Sequence, residues 1–269
     1  MIALNAWKIN VSCLKKAKSI AKIVVSCYID EVFVYIDTPM KTYDNITLCL
    51  TIGKRPDELR QTLNSLLDKV AFTHIIAIND FGDEETNAVF RELCPQGELI
   101  CLGYNIGHHK ACDYMYAKIT TPYVFHCEDD WLFDSAPDIE RIIELLDSTP
   151  NISAVTLRTI EDMGLSAEQS KLVRHVSAPP IDIAYLSDIH EQWYGYSFNP
   201  HIARLDTWKA IAPFAKFKKE RHISRTLRQQ GKHMAFLAQG NCHHIGWENS
   251  LANPPKKTWF AKVKAKVFG

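Results

Sequence analysis

The chain lacks several features that would assign it to a common class. It has no run of about 18 apolar residues, so the sequence predicts no segment that crosses a bilayer. Its 31 basic and 31 acidic residues balance, and a formally neutral chain gives no global field that would attract nucleic acid. The eight cysteines include no CxxC pair and are scattered along apolar stretches. They are typical of small buried hydrophobic residues in a reducing compartment.

The two ends of the chain bear on its location. The first residues show no small-residue cleavage pattern, so a signal peptide is not predicted. Residues 251–269 contain five lysines and no acid, interleaved with aromatic and aliphatic residues. This composition predicts a basic amphipathic tail that can contact an anionic membrane surface, and a soluble frayed tail is the alternative. We therefore expect a cytoplasmic protein, with any membrane contact peripheral and on the inner face.

From residue 46 onward, strand and helix patterns alternate. Strands are predicted at 46–52, 74–78, 98–102 and 122–127, with helices over about 56–67, 84–93 and 108–118 between them. Such alternation indicates a parallel sheet with right-handed crossovers. After the last of these strands come a helix with apolar residues from Ile139 to Leu146, a strand at 152–157, an irregular section at 159–200, a helix over 219–230 and a strand at 234–237. The fold class predicted is α/β.

Three consecutive carboxylates, Glu128-Asp129-Asp130, directly follow a buried strand. Open α/β sheets bind their ligands at the carboxyl ends of strands. Adjacent carboxylates repel one another, and a cation between them removes that repulsion; oxygen ligands suit Mg²⁺ or Mn²⁺. The cluster is therefore either a cation site or a solvated acidic turn.

Four features follow one another in a fixed order. A strand ends in Asn79-Asp80, a loop runs over 105–111, the acidic cluster follows at 128–130, and a late region contains Glu220 and His243-His244. In this order they resemble the GT-A fold glycosyltransferases, especially the family 2-like inverting enzymes, from about residue 46 to 246. The resemblance implies a GT-A-type, Rossmann-like, mostly parallel central sheet with helices on both faces.

The resemblance also implies a layout of the chain. Residues 46–250 would form the glycosyltransferase domain, with a nucleotide-binding half at 46–135 and an acceptor-binding half at 136–250. Residues 1–45 would be an N-terminal extension, to which no role is assigned. The activity implied is metal-dependent transfer of a sugar from a nucleotide-diphosphate donor to a saccharide or lipid-linked acceptor, with inversion.

The acidic cluster occupies the place of the family's DxD-type motif, although it departs from a literal Asp-x-Asp. Negative charge develops on the diphosphate as it leaves, and a bound cation stabilises that charge. The acidic cluster is therefore expected to bind Mn²⁺ or Mg²⁺. By resemblance, Asp130 is the metal ligand, Glu128 acts through water, and Asp129 faces the donor. The remaining residues expected to bind the nucleotide sugar are Thr51, Asp80, Asn105, Gly107 and Lys110. An exposed lysine is more often only solvated, so the residue types alone leave Lys110 open.

A general base must take the proton of the acceptor hydroxyl. The stretch 218–231 is similar to the family's base-bearing helix and aligns Glu220 with the catalytic acid, whereas Lys219 stands where a further acid is usual. A glutamate that only favours the helix dipole is the alternative. Glu191 and Asp188 are reserve candidates for the base.

Trp193, Tyr194 and Gly195 resemble the acceptor loop that precedes the base in these enzymes. Aromatic rings stack on sugar faces and glycine lets the backbone approach a ligand, although aromatics are more often core residues. His243 or His244 matches the family's late histidine, which can complete the metal shell; of the two, we favour His244.

Two other functions compete with glycosyl transfer. A nucleotidyltransferase shares the α/β layer, but a glycine-rich phosphate loop would be expected after the first strand, and the turn Thr51-Ile52-Gly53-Lys54-Arg55 has a single glycine. The second alternative is a module that binds a nucleotide sugar but has lost its catalytic residues. The lysine at position 219, where a further acid is usual, is consistent with this alternative.

Overall fold

The computed structural model describes residues 40–177 and 180–246 in full, together with the backbone of two strands nearer the N-terminus. The chain divides into two compact units, Met1–Lys41 and Thr42–Gly269. In the first unit, strands β1 (Ile23–Tyr28) and β2 (Glu31–Ile36) pair in an antiparallel hairpin. The predicted tail at 251–269 lies outside the described residues.

The elements of the second unit alternate as the sequence predicts over its first half. In chain order they are β3 (Thr42–Ile52), α1 (Pro56–Leu67), β4 (Ala71–Asn79), α2 (Glu84–Leu93), β5 (Glu98–Cys101), α3 (His108–Tyr116), β6 (Tyr123–Glu128), β7 (Trp131–Phe133), α4 (Ile139–Ser148), β8 (Ile152–Thr156), α5 (Ala167–Ser170), β9 (Arg174–Val176), β10 (Ile183–Tyr185), β11 (His201–Arg204), α6 (Leu205–Ile211), α7 (Glu220–Gln229), β12 (His233–Leu237) and β13 (Cys242–His244). Within the described residues, none of the helices is both long enough and apolar enough to cross a membrane.

Nine of the strands form one twisted sheet in the order β5-β4-β3-β6-β11-β8-β12-β10-β9. Strands β10 and β11 run antiparallel to their neighbours, and the other seven share one direction. The mostly parallel sheet expected from the sequence is therefore confirmed. The first strand begins at residue 42 rather than 46.

Alternating side chains of the central strands pack on opposite faces because successive residues of a strand point to opposite sides. In β3, Leu48 and Leu50 lie in a core with apolar residues of α1, α2 and α4. Cys49 lies on the other face, in a core with residues of α3, α6 and α7. Helices therefore cover both faces, as expected.

The irregular section predicted at 159–200 contains short elements that the sequence pattern does not show. Strands β9 and β10 and helix α5 lie within it, and none exceeds four residues. No strand was predicted at β11, which inserts antiparallel between β6 and β8. Three or four residues are too few for a period of two to be distinguished from chance.

Candidate active site

A pocket of about 400 Å³ lies at the carboxyl ends of the central strands. Eight of the residues predicted from the sequence line it: Thr51, Asp80, Asn105, Glu128, Asp129, Asp130, Glu220 and His244. Arg55, His108 and His109 line it as well. Strands β3, β4 and β6 are neighbours, so residues that end them meet at one edge of the sheet. This is where open α/β sheets bind ligands.

Arg55 holds the acidic cluster together. Its guanidinium forms ion pairs with the carboxylates of Asp129 and Asp130. The backbone N–H of Gly53 also donates to Asp129 Oδ2, at 2.9 Å. The sequence reasoning missed Arg55, because only the folded loop after β3 brings its side chain to the acids. The loop after β3 thus supplies the positive charge that three adjacent carboxylates need.

The pairing of β7 with β13 brings a histidine to the acids. His244 lies opposite Trp131 in that antiparallel register, and Asp130 directly precedes Trp131. As a result, His244 Nε2 lies 3.0 Å from Asp130 Oδ2. His243 points to the other side, where its Nδ1 lies 2.8 Å from Asp134 Oδ2. Of the two histidines considered from the sequence, His244 is the one beside the acids.

Burial separates the three carboxyl groups by their pKa values. Burial raises the pKa of Glu128 well above its usual range, and the negative charges of Asp130 and Glu220 add to that rise. Burial also raises the pKa of Asp129, to about 7, although the charge of Arg55 opposes the rise. For Asp130, burial is outweighed by the hydrogen bond with His244 and the charge of Arg55, so its pKa lies below the ordinary value. Asp130 is thus the carboxylate of the cluster most firmly held in its charged form.

One end of the pocket is shaped by a hydrogen-bonded loop. Asp80 Oδ2 and Asn105 Oδ1 both accept from the backbone N–H of Gly107, at 3.2 and 2.9 Å. Gly107 has a φ of 88°, a left-handed conformation that glycine adopts readily, and it directly precedes α3. Asp80, Asn105 and Thr51 line the pocket. Lys110 is exposed and is not among the lining residues.

Glu220 is the first residue of α7, and it lines two pockets at once. The second pocket has a volume of about 350 Å³. The backbone N–H of Phe198 donates to Glu220 Oε2 at 3.3 Å. Burial raises the pKa of Glu220, against hydrogen bonds from Phe198 and Ser197 that favour its charged form. The reserve candidates Glu191 and Asp188 are exposed and line neither pocket.

Trp193 and Tyr194 line the second pocket. The indole of Trp193 stacks on the imidazole of His190 with ring centroids 4.3 Å apart, and it is 39% exposed. Gly195 lines neither pocket. A Cβ atom at this position would lie 2.4 Å from the carbonyl oxygen of Ser224, so the close approach that Gly195 permits is to α7.

Comparisons with known proteins agree with this architecture. Residues 47–209 match the model of the family described as glycosyl transferase family 2. Glu220 and His244 lie beyond the matched stretch. None of the curated proteins compared with the chain matches it in sequence.

Several solved structures share the fold. A mannosyltransferase from Pyrobaculum calidifontis, in complex with GDP-Man and Mn²⁺, superposes with a TM-score of 0.53 at 12% identity, covering 77% of this chain and 58% of that one. Residues 1–349 of S. aureus TarS give 0.52 at 11% identity, covering 76% and 61%. A second S. aureus TarS structure gives 0.52 at 11%, covering 75% and 36%. The chain thus spans less than two thirds of each of these neighbours.

Together, the family match over more than half of the chain and the GT-A-type sheet with its pocket at the strand ends identify the domain. The chain belongs to glycosyl transferase family 2.

Proposed function

We propose that the protein transfers a sugar from a nucleoside-diphosphate donor in the larger pocket to a hydroxyl of a saccharide or lipid-linked acceptor in the smaller one. The observation that carries this proposal is the position of Glu220, whose side chain lines both pockets. A group that takes a proton from the acceptor while the donor's anomeric carbon is attacked must reach both substrates.

Glu220 would act as the general base. As the acceptor oxygen attacks the anomeric carbon, its proton passes to the Glu220 carboxylate and the bond to the diphosphate breaks. A raised pKa suits this role because a base whose pKa lies nearer the working pH is better matched to the proton it accepts. Attack from the side opposite the leaving group would invert the anomeric configuration.

The acidic cluster fits a divalent cation, Mn²⁺ or Mg²⁺. Asp130 Oδ1 is buried and has no hydrogen-bond partner among residues 40–177 and 180–246. Its other oxygen lies beside His244, so the imidazole is placed to add a nitrogen ligand to the carboxylate oxygens that such ions prefer. When bound, the cation would balance the charge that develops on the leaving diphosphate. We assign Asp130 and His244 as its ligands and Glu128 as a contact through water.

The other end of the pocket would hold the nucleotide. Thr51, Asp80 and Asn105 line it, and Asp80 together with Asn105 fixes the Gly107 turn. Asp129 would face the donor between the two ends. Lys110 could contribute only by turning its exposed side chain toward the diphosphate. The neighbour from P. calidifontis holds GDP-Man and Mn²⁺, which supports a donor and a cation of this kind here.

Product release from a panel of nucleotide sugars with Mn²⁺ tests the proposal. Purified protein should release nucleoside diphosphate from at least one donor, faster when an acceptor is present. Asp130→Asn should abolish this turnover, whereas Asp134→Asn, which changes the exposed acid beside His243, should retain it. Binding of a nucleotide sugar without any turnover would instead support the alternative that the protein is a nucleotide-sugar-binding module without catalytic activity, with which Lys219 is consistent. Near-normal activity of Asp130→Asn would refute the metal assignment.

We further propose that the lysine-rich segment 251–269 provides peripheral contact with anionic lipid on the cytoplasmic side. Its composition, five lysines without an acid, supports this. Co-sedimentation with vesicles that contain phosphatidylserine should fall when these lysines are changed to glutamine, and unchanged co-sedimentation would refute the contact.

A further inference from the structure

Three metal-ligating side chains meet beneath the donor pocket, apart from the acidic cluster. His108 and Cys112 lie four residues apart in α3 and therefore on one face of the helix. His126 lies in β6, where Val124, two residues earlier and on the same face of the strand, packs in the same core as α3. One ligand atom from each of the three residues lies within 4.8 Å of those of the other two.

Their spacing suits one tetrahedral ion. His108 Nε2 lies 3.6 Å from Cys112 Sγ. A zinc ion about 2.0 Å from an imidazole nitrogen and about 2.3 Å from a thiolate sulfur would separate those two atoms by roughly 3.5 Å in tetrahedral geometry. Helix α3 therefore already presents two donors at the separation that such an ion requires.

The third potential ligand, His126, is oriented by a hydrogen bond at one ring nitrogen, and its other ring nitrogen has no partner among the described residues. His126 is fully buried, and its Nδ1 lies 3.0 Å from the hydroxyl of Tyr116. Its Nε2 has no hydrogen-bond partner within the part of the chain that the structure describes. When Nδ1–H donates to Tyr116, Nε2 is an acceptor to which no described group donates, and leaving such a group unpaired inside a protein is costly. Metal-bound histidines are commonly oriented by a hydrogen bond at the other ring nitrogen.

The charges also favour a borderline-soft dication. Two neutral imidazoles and a thiolate prefer Zn²⁺, whereas the oxygen-rich acidic cluster prefers Mg²⁺ or Mn²⁺. The Cys112 thiolate offsets one of the two charges of the ion, which lowers the cost of burying it.

We propose that His108 Nε2, Cys112 Sγ and His126 Nε2 bind one Zn²⁺ ion at the floor of the donor pocket. Binding releases the thiol proton of Cys112 to solvent, so the affinity falls as the pH is lowered. Three protein ligands leave a fourth coordination position, which water fills.

The site also supports the proposed base, a consequence that rests on the proposed function. His108 lines the donor pocket and packs edge-on against Phe198, with ring centroids 4.5 Å apart. The backbone N–H of Phe198 donates to Glu220. An ion that fixes the His108 ring therefore fixes one wall of the site that holds Glu220.

Metal analysis and cobalt substitution test the zinc site without measuring activity. The full chain, freed of metal and refilled with Zn²⁺, should hold about one equivalent. With Co²⁺ it should show the near-ultraviolet thiolate-to-cobalt absorption and the intense visible bands of tetrahedral cobalt. Cys112→Ser should remove the thiolate band, and His126→Gln should weaken Co²⁺ binding at least tenfold.

Two controls keep the result specific. Cys127→Ser changes the buried cysteine next to His126 that points to the opposite face of β6, and it should keep the thiolate band. Asp130→Asn should keep it too, because the acidic cluster is a separate site. If Cys112→Ser does not fold, His108→Gln provides the test, since its side chain reaches the pocket surface: Zn²⁺ should raise the melting temperature of the wild type and not of this variant. A folded wild type that shows no thiolate band and no zinc-dependent stabilisation would overturn the site.

Discussion

His244 Nε2 lies 3.0 Å from Asp130 Oδ2, although 114 residues separate the two in the sequence. The antiparallel pairing of β7 with β13 produces this contact, because it sets His244 opposite Trp131. The same pairing sets His243 beside Asp134 on the other side of the ribbon. The described residues therefore contain two acid–histidine pairs in tandem, of which only Asp130 and His244 line the larger pocket.

We predict that His244→Gln raises the Mn²⁺ concentration needed for half-maximal turnover at least tenfold. The imidazole is one of the proposed ligands, and it also helps to keep Asp130 charged. His243→Gln is the matched control and should leave the metal requirement unchanged. A metal titration of initial rates measures both. Equal effects of the two variants would mean that the metal requirement depends on the β7–β13 pairing as a whole and not on the His244 imidazole.

Arg55→Gln should make the protein more dependent on metal for its stability. Arg55 supplies the positive charge beside Asp129 and Asp130, and removing one partner of a largely buried ion pair costs on the order of 3 kcal/mol. A bound cation would replace that charge. The rise in melting temperature caused by Mn²⁺ should therefore be larger for Arg55→Gln than for the wild type.

Arg60→Gln is the control for this prediction. Arg60 forms an exposed ion pair with Glu92, and exposed pairs contribute little to stability. Its response to Mn²⁺ should match that of the wild type in the same thermal-shift experiment. If Mn²⁺ raises the melting temperature of Arg55→Gln no more than that of the wild type, the cation does not bind the carboxylates that Arg55 pairs with.

Glu220→Gln should lower kcat by about 10² to 10⁴ while donor affinity changes little, as expected for the loss of a general base. The amide keeps the shape of the side chain but cannot accept the proton. Glu191→Gln, at an exposed position outside both pockets, should retain normal kcat. Steady-state kinetics and donor binding by calorimetry separate the two effects. If Glu191→Gln lost turnover instead, the base would be wrongly assigned.

The pH dependence of kcat should report the environment of Glu220. Burial raises its pKa, so the activity should fall on the acid side at a higher pH than an exposed glutamate would give. The hydroxyl of Ser197 donates to the charged form and lowers this pKa. Ser197→Ala removes that hydrogen bond, and the acid limb of the profile should therefore move to higher pH. If the acid limb stays at the same pH or moves to lower pH, the group that titrates in this limb is not Glu220.

The sequence by itself determined the first half of the domain. Apolar stretches mark β3, β4 and β6, which are six to eleven residues long, and the leucines of α1 repeat at helical spacing, so these elements carry patterns long enough to recognise. Polar residues that end parallel strands meet at one edge whatever the details of packing. Asp80 and the acids at 128–130 could therefore be placed in one pocket before the fold was known.

Tertiary structure alone decided the relationships that depend on short or distant elements. The three-residue strands β7 and β13 select His244 over His243, and their pairing is set by contacts between chain segments, which no local periodicity records. Arg55 belongs to a turn, and only the folded loop shows that its guanidinium pairs with Asp129 and Asp130. Gly195 resembles an acceptor contact in sequence, yet it packs on α7 because the helix backbone comes within 2.4 Å of where a Cβ would lie. Local pattern fixed which strands end in acids, and long-range packing fixed which side chains those acids meet.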